Sequence, residues 1–386
     1  MGDIKIQPGT SGSGIYTIQG GSGDTDRTIT LPNVADATLS VTDTLNNRNI
    51  IINGGMNVWQ RETTASVSTD TYSTVDRFKT RVNSMGAFTV SRSAEVPAGQ
   101  GFAYSTKWDC TTADASPEAG DYLIFEQRIE GQNLQRLLKG TSSAKKLTLS
   151  FWVKSNKTGT YIASFYDADN TRRISKSYDI VSADTWEKKT IIFEGDETGA
   201  FGNDNGASLW VQWWLGAGSD YTSGTLATSW ESSTSANIAP GQLNLADSTD
   251  NEWLITGVQL EVGETASNFE FEPIDLILMK CMRYFYKYTG SLRFFRADAR
   301  NIPANGQMFS ETLIHPVPMR ANPLFTYTGT PSLHKHWIRF ESAYSGWGQL
   351  VGSRYVQEYI YPGTNDADCQ MMSFEGISRW YNAEMM

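Results

Sequence analysis

Apolar and polar positions alternate along most of this chain in runs of four to twelve residues: FTVS at 88–91, LTLSFWVKS at 147–155, TYIASFYD at 160–167, KKTIIFEG at 188–195, SLWVQWWLG at 208–216 and EWLITGVQLEVG at 252–263. Clusters of Gly, Asp, Asn and Ser separate the runs. Period-two alternation bounded by turn residues predicts half-buried strands, so the expected class is all-β and residues 50–274 are expected to form one jelly-roll β-sandwich. DADN at 167–170 predicts a tight hairpin tip. One helical patch interrupts the pattern at 125–140, where Leu134, Leu137 and Leu138 recur at helical spacing and Gly140 supplies a stop. It is expected to cap one end of the sandwich.

The alternation changes character at both ends. Residues 1–49 hold only short runs (IKI, IYTI, TITL, ATLSV), too brief to enclose a core. Such strands need neighbours, and identical chains around a three-fold axis would bury Ile15, Ile18, Ile29, Leu31, Val34 and Leu39 between protomers; a partly disordered arm fits the same pattern. From 275 to 288 the period becomes helical, with Leu276, Met279 and Tyr286 on one face and the run LILM leaving little polar surface on the other. Such a helix needs cover on more than one side, from symmetry mates at a trimer axis or from its own sandwich. Residues 289–386 return to short strands (LRFF, QMFSETLI, LFTYTG, HWIRFES, YVQEYIY, MMSFEGIS) and are expected to make a smaller β tip domain. Residues 216–250 are a Gly, Ser, Thr and Ala tract whose length suits a binding excursion and an insertion equally.

Composition narrows the function classes. Net charge is −10 and the aromatic load is high, with 12 Trp, 17 Tyr and 17 Phe. An acidic chain lacks the Lys and Arg excess that displaces counterions from a phosphate backbone, which excludes nucleic acid as the expected partner. Cys110, Cys281 and Cys369 are widely spaced, without a CxxC pair, and signal neither zinc nor a disulfide framework. The start MGDIKIQPGT lacks a basic n-region and apolar run, and no stretch is apolar for long enough to insert in a bilayer. The sequence carries no nucleophile elbow, P-loop, HExxH or dinucleotide fingerprint, and no long period of the kind that builds a β-helix. Chemistry is therefore not expected, nor a cofactor. His334 and His336 fall on one face of a strand, but nothing marks a third ligand beside them or His315, so no metal is expected there. Asp167, Asp169, Asp196 and Asp204 lie on expected loops, where they suit solvated turns or a structural calcium.

The segment 252–288 runs an alternating strand into NFEFEP (268–273) and then CMRYF (281–285). In order and spacing this resembles the C-terminal module of bacteriophage tail-fibre proteins, with its PFEFRP-like turn and CQRYF-like helix core. INGGMNVWQR (52–61), VDRF (75–78), HPVPMRANPLFTYTG (315–329) and the final SRWYNAEMM resemble further blocks of the same module, residues 21–43 a stalk element of viral appendages, and DTWEKKTIIFEG (184–195) a strand of carbohydrate-binding-module-like jelly rolls. Glu272 stands where a basic residue is usual and Met282 where Gln is usual. The resemblance implies a receptor-binding protein that leaves the host cytoplasm in the virion. It implies a stalk docked to tail adaptor or nozzle proteins, a parallel homotrimer, and adhesion to a host surface glycan or outer-membrane receptor. A capsid-bound fibre or decoration protein is the alternative from another class, and a polysaccharide-degrading fibre a third.

For glycan adhesion the aromatics are the candidates, because sugar C–H faces lie against Trp and Tyr while polar neighbours bond the hydroxyls. Trp152, Trp186, Trp210 and Trp253 sit on expected strands and are expected in the core. Tyr344 and Trp347 sit among Gly and Ser in an expected turn, with Arg354, Tyr359, Tyr361, Asn365 and Asp366 nearby. They suit either a ligand-binding tip or packing at the trimer axis.

Overall fold

The computed structural model describes residues 47–289, 292–295, 308–310, 313–328, 332–335, 344–351, 355–362, 371–375 and 378–385, with side chains described for 47–288, 314–324, 355 and 381–385. The alternating runs form strands, and the fold is all-β. Two six-stranded antiparallel sheets face each other. The first runs β1 (Thr64–Val67), β3 (Ala87–Ser93), β4 (Ser105–Thr112), β12 (Glu252–Val262), β6 (Leu147–Ser155), β9 (Glu187–Phe193). The second runs β11 (Glu231–Ser232), β8 (Arg172–Ile180), β7 (Gly159–Asp167), β10 (Ala207–Ala217), β5 (Tyr122–Glu130), β2 (Phe78–Asn83). Of the sandwich's consecutive strands only β3 and β4, β7 and β8, and β10 and β11 share a sheet; at every other step the chain passes to the opposite sheet, the crossing habit of a jelly roll.

The core lies between the sheets and centres on the Phe125 ring. Phe78 stacks on it at 4.8 Å, Trp108 meets it edge-on at 5.8 Å, and Trp253 and Trp213 approach within 6.1 and 6.2 Å. Burying an aromatic ring of this size stabilises the fold by roughly 1.5–3 kcal/mol. The INGG turn packs on β12: Val258 donates to Gly54 O at 2.9 Å. A Cβ on Gly54 would lie 1.9 Å from Val258 O, so no other residue fits.

Several elements differ from expectation. Residues 122–130 belong to β5, and the expected helical cap shrinks to two 3₁₀ turns, Gly131–Asn133 and Gln135–Leu137. Leu134 and Leu137 are buried as the spacing implied, but Leu138 takes φ +53° and is exposed, so no third turn can follow. Of the four tryptophans expected in the core only Trp253 is fully buried; Trp152, Trp186 and Trp210 are half-buried. The helix expected over 275–288 is α2 (Ile274–Met282), following the short α1 (Ser219–Thr222); it stops because Phe285–Thr289 forms β13. α2 buries Ile277 and Cys281 against Val58, leaves Leu276 half-buried, and exposes Ile274 and Met279. Its own sandwich thus covers one stripe of it.

Beyond α2, β13 pairs with β22 (Ser378–Asn382), which also pairs with β17 (Leu324–Thr328). A second group joins β14 (Leu292–Phe295), β15 (Met308–Ser310), β16 (Leu313–Ile314), β18 (Ser332–Lys335), β19 (Tyr344–Val351), β20 (Tyr355–Pro362) and β21 (Met371–Glu375). The expected strand HWIRFES lies outside the described residues, as do 1–46 with Ile15, Ile18, Ile29, Leu31, Val34 and Leu39. Among the described residues no helix is long and apolar enough to cross a membrane.

Candidate functional site

The blocks singled out in the sequence converge on one buried joint. Asn53 ties the INGGMN turn together: its Nδ2 donates to Val58 O at 3.0 Å and Asp76 O at 3.1 Å, and its Oδ1 accepts from Asn57 and Val58 N–H. Asp76 accepts from the Gln60 backbone and side chain, and Gln60 Nε2 also reaches Phe285 O at 2.9 Å. Arg61 lies 3.7 Å over the Phe285 ring and Arg77 3.3 Å over the Tyr284 ring. Both guanidiniums then meet Glu384 near the chain's end, Arg61 Nη2 at 3.3 Å and Arg77 on the other carboxylate oxygen. Arg320, from the HPVPMRANP block, donates to Ala383 O at 2.8 Å and Glu384 O at 3.2 Å. Burial pushes Asp76 up to about 6 against the pull of Arg61. The side chains of Asp76, Arg77 and Glu384 are each 1% exposed, so this cluster is closed and structural. Glu272, at its position of departure just before α2, pairs with Lys280 eight residues on, in the last turn of that helix.

The outer face of the second sheet is different in kind. Antiparallel register sets residues into rows across β5, β10, β7 and β8. One row is Arg128, Trp210, Tyr166 and Arg173; the next is Glu126, Gln212, Ser164 and Ser175; a third is Ile124, Trp214, Ile162 and Ser177. The 216–250 tract is an ordered cover over the third row, where Tyr221, Leu226, Ile238 and Ala239 pack on Ile124, Ile162 and Trp214. In the first row Arg128 stacks over Trp210 at 3.6 Å, Tyr166 meets Trp210 edge-on at 5.1 Å, and Arg173 lies 4.7 Å from the Tyr166 centroid. Arg81 of β2 reaches the same surface, 4.7 Å from the Tyr122 ring. The C-terminal tail closes one end, with Met385 O accepting from Arg128 at 3.1 Å and from Tyr72 OH at 3.0 Å. Trp210 and Tyr166 between these covers stay half-buried.

Of the four aspartates weighed for calcium, Asp167 and Asp196 meet Lys139. Its ammonium lies 2.5 Å from Asp167 Oδ2 and 3.1 Å from Asp196 Oδ2, and donates to Thr198 O at 2.9 Å and Gly199 O at 2.7 Å. Arg172 also bonds Asp196 through Nε at 2.7 Å and Nη2 at 3.0 Å. Burial alone would raise the Asp196 carboxyl, yet Arg172, the Thr198 N–H and Lys139 hold it below the usual range. Asp169 accepts from Gly202 N and Asp204 from Gly206 N, as turn residues. A cleft beside Lys139 is lined by Trp230, Phe201, Leu137 and Glu194. Among the described residues no group of three or more His, Cys, Asp or Glu is placed to hold a metal.

The expected tip residues fall differently. Tyr344 and Trp347 lie on β19, not in a turn: the run pairs with β20, with Trp347 opposite Ile360 and Tyr344 opposite Pro362. Tyr359 and Tyr361 sit on β20 opposite Gly348 and Gly346, which brings the four aromatics onto one hairpin. Alternation in YVQEYIY outweighs the Gly and Ser that suggested a turn. Arg354, Asn365 and Asp366 lie outside the described residues. His334 is on β18, His336 lies outside the described residues, and His315 is buried beside Tyr381 and Tyr286. Tyr166, Arg173 and Arg128 escape a reading of the sequence because their row joins the β7–β8 hairpin to β10 and β5, far along the chain, and Arg81 because it comes to the same face from β2; the polar insertions in SLWVQWWLG are the local trace.

No protein-family model and no curated protein matches the chain. Among solved structures the chain is similar to the enzymatically active domain of tailspike protein 4 of bacteriophage CBA120, at 16% identity and a TM-score of 0.28, over 56% of this chain and 22% of that one. A putative sugar-binding protein from Bacteroides thetaiotaomicron aligns at 13% identity and a TM-score of 0.31, over 56% of this chain and 100% of that one. A carbohydrate-binding module solved with β-1,4-galactotriose aligns at 10% identity and a TM-score of 0.22, over 56% of this chain and 99% of that one. This chain thus spans about a fifth of the tailspike domain's length. At TM-scores this low the likenesses assign it neither an activity nor a ligand.

Proposed function

We propose that this chain is the attachment protein of a virus particle, a phage tail fibre that adheres without chemistry to glycan or protein on the host envelope. Residues 1–49 dock to the tail, the sandwich forms the shoulder, and copies associate as a parallel homotrimer. The single observation that supports adhesion is the row of half-buried rings, set between the buried guanidiniums of Arg128 and Arg173, on the second sheet's outer face. Ring surface of this kind takes the apolar faces of a sugar, and the outer edge of the Arg173 guanidinium, held in place by the buried Gln212 and Ser164, bonds its polar groups. Each contact is weak, and association through a three-fold fibre raises overall avidity. The signature blocks INGGMNVWQR, VDRF and HPVPMRANP support the fibre assignment through the joint they build, since Arg61, Arg77 and Arg320 hold Glu384 while Tyr284 and Phe285 of CMRYF lie under the first two. The exposed Ile274 and Met279 on α2 support self-association.

The test is binding of the purified full chain to an array of bacterial surface polysaccharides. Trp210→Ala is expected to weaken the glycan response about tenfold, ~1.4 kcal/mol, without moving the melting temperature by more than a few degrees. Absence of any glycan response, with unimpaired incorporation into particles, would favour the structural decoration protein instead. Loss on Trp347→Ala but not on Trp210→Ala would place recognition on the β19–β20 hairpin.

A further inference from the structure

Arg173 is 7% exposed, yet all its bonding partners are neutral. Nη1 donates to Gln212 Oε1 at 2.6 Å and Ser164 Oγ at 3.0 Å, Nε reaches Ser233 Oγ at 3.4 Å, and Nη2 has no protein partner among the described residues. Its register neighbour Glu231 is held by Asn237 Nδ2 at 2.9 Å and forms no ion pair with it among the described residues. A buried cation normally brings a counter-ion with it, because desolvation without one costs several kcal/mol. Burial pushes this guanidinium down to about 10. The rest of the face is also short of anions: Lys79, Arg81 and Arg128 share only Asp70 and Glu126. Glu231 and Glu130 also lie on this face but are taken up by Asn237 and Arg283, so the four cations Lys79, Arg81, Arg128 and Arg173 have only Asp70 and Glu126 as ion-pair partners among the described residues. On the outer face of the first sheet, by contrast, Lys107 and Lys154 find their partners among Glu95, Asp109 and Glu252.

We infer that the outer face of the second sheet takes a carboxylate-bearing oligosaccharide, a uronate or sialate type of sugar, with the free side of Arg173 as partner of the carboxylate and Tyr166 and Trp210 as the surface for its rings. The inference rests on the glycan-adhesion proposal and specifies its ligand. A guanidinium fork matches the two oxygens of a carboxylate, and the missing counter-ion is then supplied by the ligand. From Arg128 to Arg173 the row crosses three strand spacings, about 14 Å, which is longer than a single sugar ring. Arg81 lies on the same face for a second acidic residue.

The experiment titrates the full chain calorimetrically with oligogalacturonate and a sialylated oligosaccharide, each beside its carboxyl-reduced form. The acidic forms are expected to bind at least tenfold more tightly than the reduced ones. Arg173→Gln should erase that difference and Arg173→Lys should keep part of it. Equal binding of acidic and reduced sugars by the unaltered protein overturns the inference while leaving glycan adhesion standing, and so does a preference for phosphate-bearing over carboxylate-bearing sugars. Failure to bind any sugar overturns both. If Arg173→Gln does not fold, the acidic-against-reduced comparison on the unaltered protein decides alone.

Discussion

Lys139 shows how one side chain settles a choice that spacing alone leaves open. Four oxygens surround its ammonium, two from carboxylates and two from backbone carbonyls, an arrangement that also suits a hard cation. The lysine is thus a built-in counter-ion that joins the β7–β8 tip, through Asp167, to the loop after β9, through Asp196. Its stem passes the Phe201 and Trp230 rings, with the ammonium 5.1 and 5.4 Å from their centroids. Lys139→Ala leaves Asp167 buried without its cation and is expected to cost about 3–5 kcal/mol of stability. Millimolar calcium should then raise the melting temperature of the variant and leave that of the unaltered protein in place. Thermal melts with and without calcium check this; an equal calcium response in both proteins would show that the ion acts elsewhere.

At the scale of elements, what was legible followed from side-chain period. β6, β7, β10 and β12 announce themselves because one face of each is continuously apolar. β5 was hidden because Glu126, Arg128 and Glu130 alternate with its apolar residues and look solvent-facing, whereas all three are buried in pairs and covers supplied by other elements. Arg283 binds Glu130 through two bonds of 2.8 and 2.7 Å and, against the upward push of burial, holds its carboxyl below the usual range. The same blindness to distant partners hid the ring-and-guanidinium row, and it made Trp210 look like core. His315 gives this scale its pH test. It is 4% exposed, neither ring nitrogen has a hydrogen-bond partner among the described residues, and burial pushes it down to about 4. Its folded value lies below its unfolded one of about 6.5. Its contribution is therefore complete above pH 6.5 and is lost as pH falls toward 4, while the unfolded chain takes up the proton. His315→Phe, which retains a ring beside Tyr381, is expected to flatten the melting temperature between pH 6.5 and 4. An unchanged slope would assign the acid sensitivity to other groups.

At the scale of the molecule, the chain closes on itself before it engages anything else. Leu45–Met386 is one compact unit, and its first and last described residues are both anchored on the sandwich. Asn49 N–H donates to Glu270 Oε2 at 2.8 Å and Arg136 donates to Asn47 O at 2.8 Å and Arg48 O at 3.1 Å. At the other end the tail residues 383–385 are held by Arg320, Arg61, Arg77 and Arg128. Because Leu45–Met386 is a compact unit in its own right, removing residues 1–44 is expected to leave the sandwich folded, with a melting temperature within a few degrees of the full chain and undiminished binding to the glycan array. If the N-terminal segment is the docking stalk, the same truncation abolishes incorporation into virions, because it removes the attachment without touching the adhesive face. If the segment also holds the trimer together, the truncated protein shows a smaller mass in solution and a loss of avidity far larger than any loss in affinity per site. Calorimetry, light scattering and particle incorporation on one truncated preparation separate these roles. Truncated chains that still join particles would sink the docking assignment, and a truncated chain that melts early would show that residues 1–44 support the sandwich.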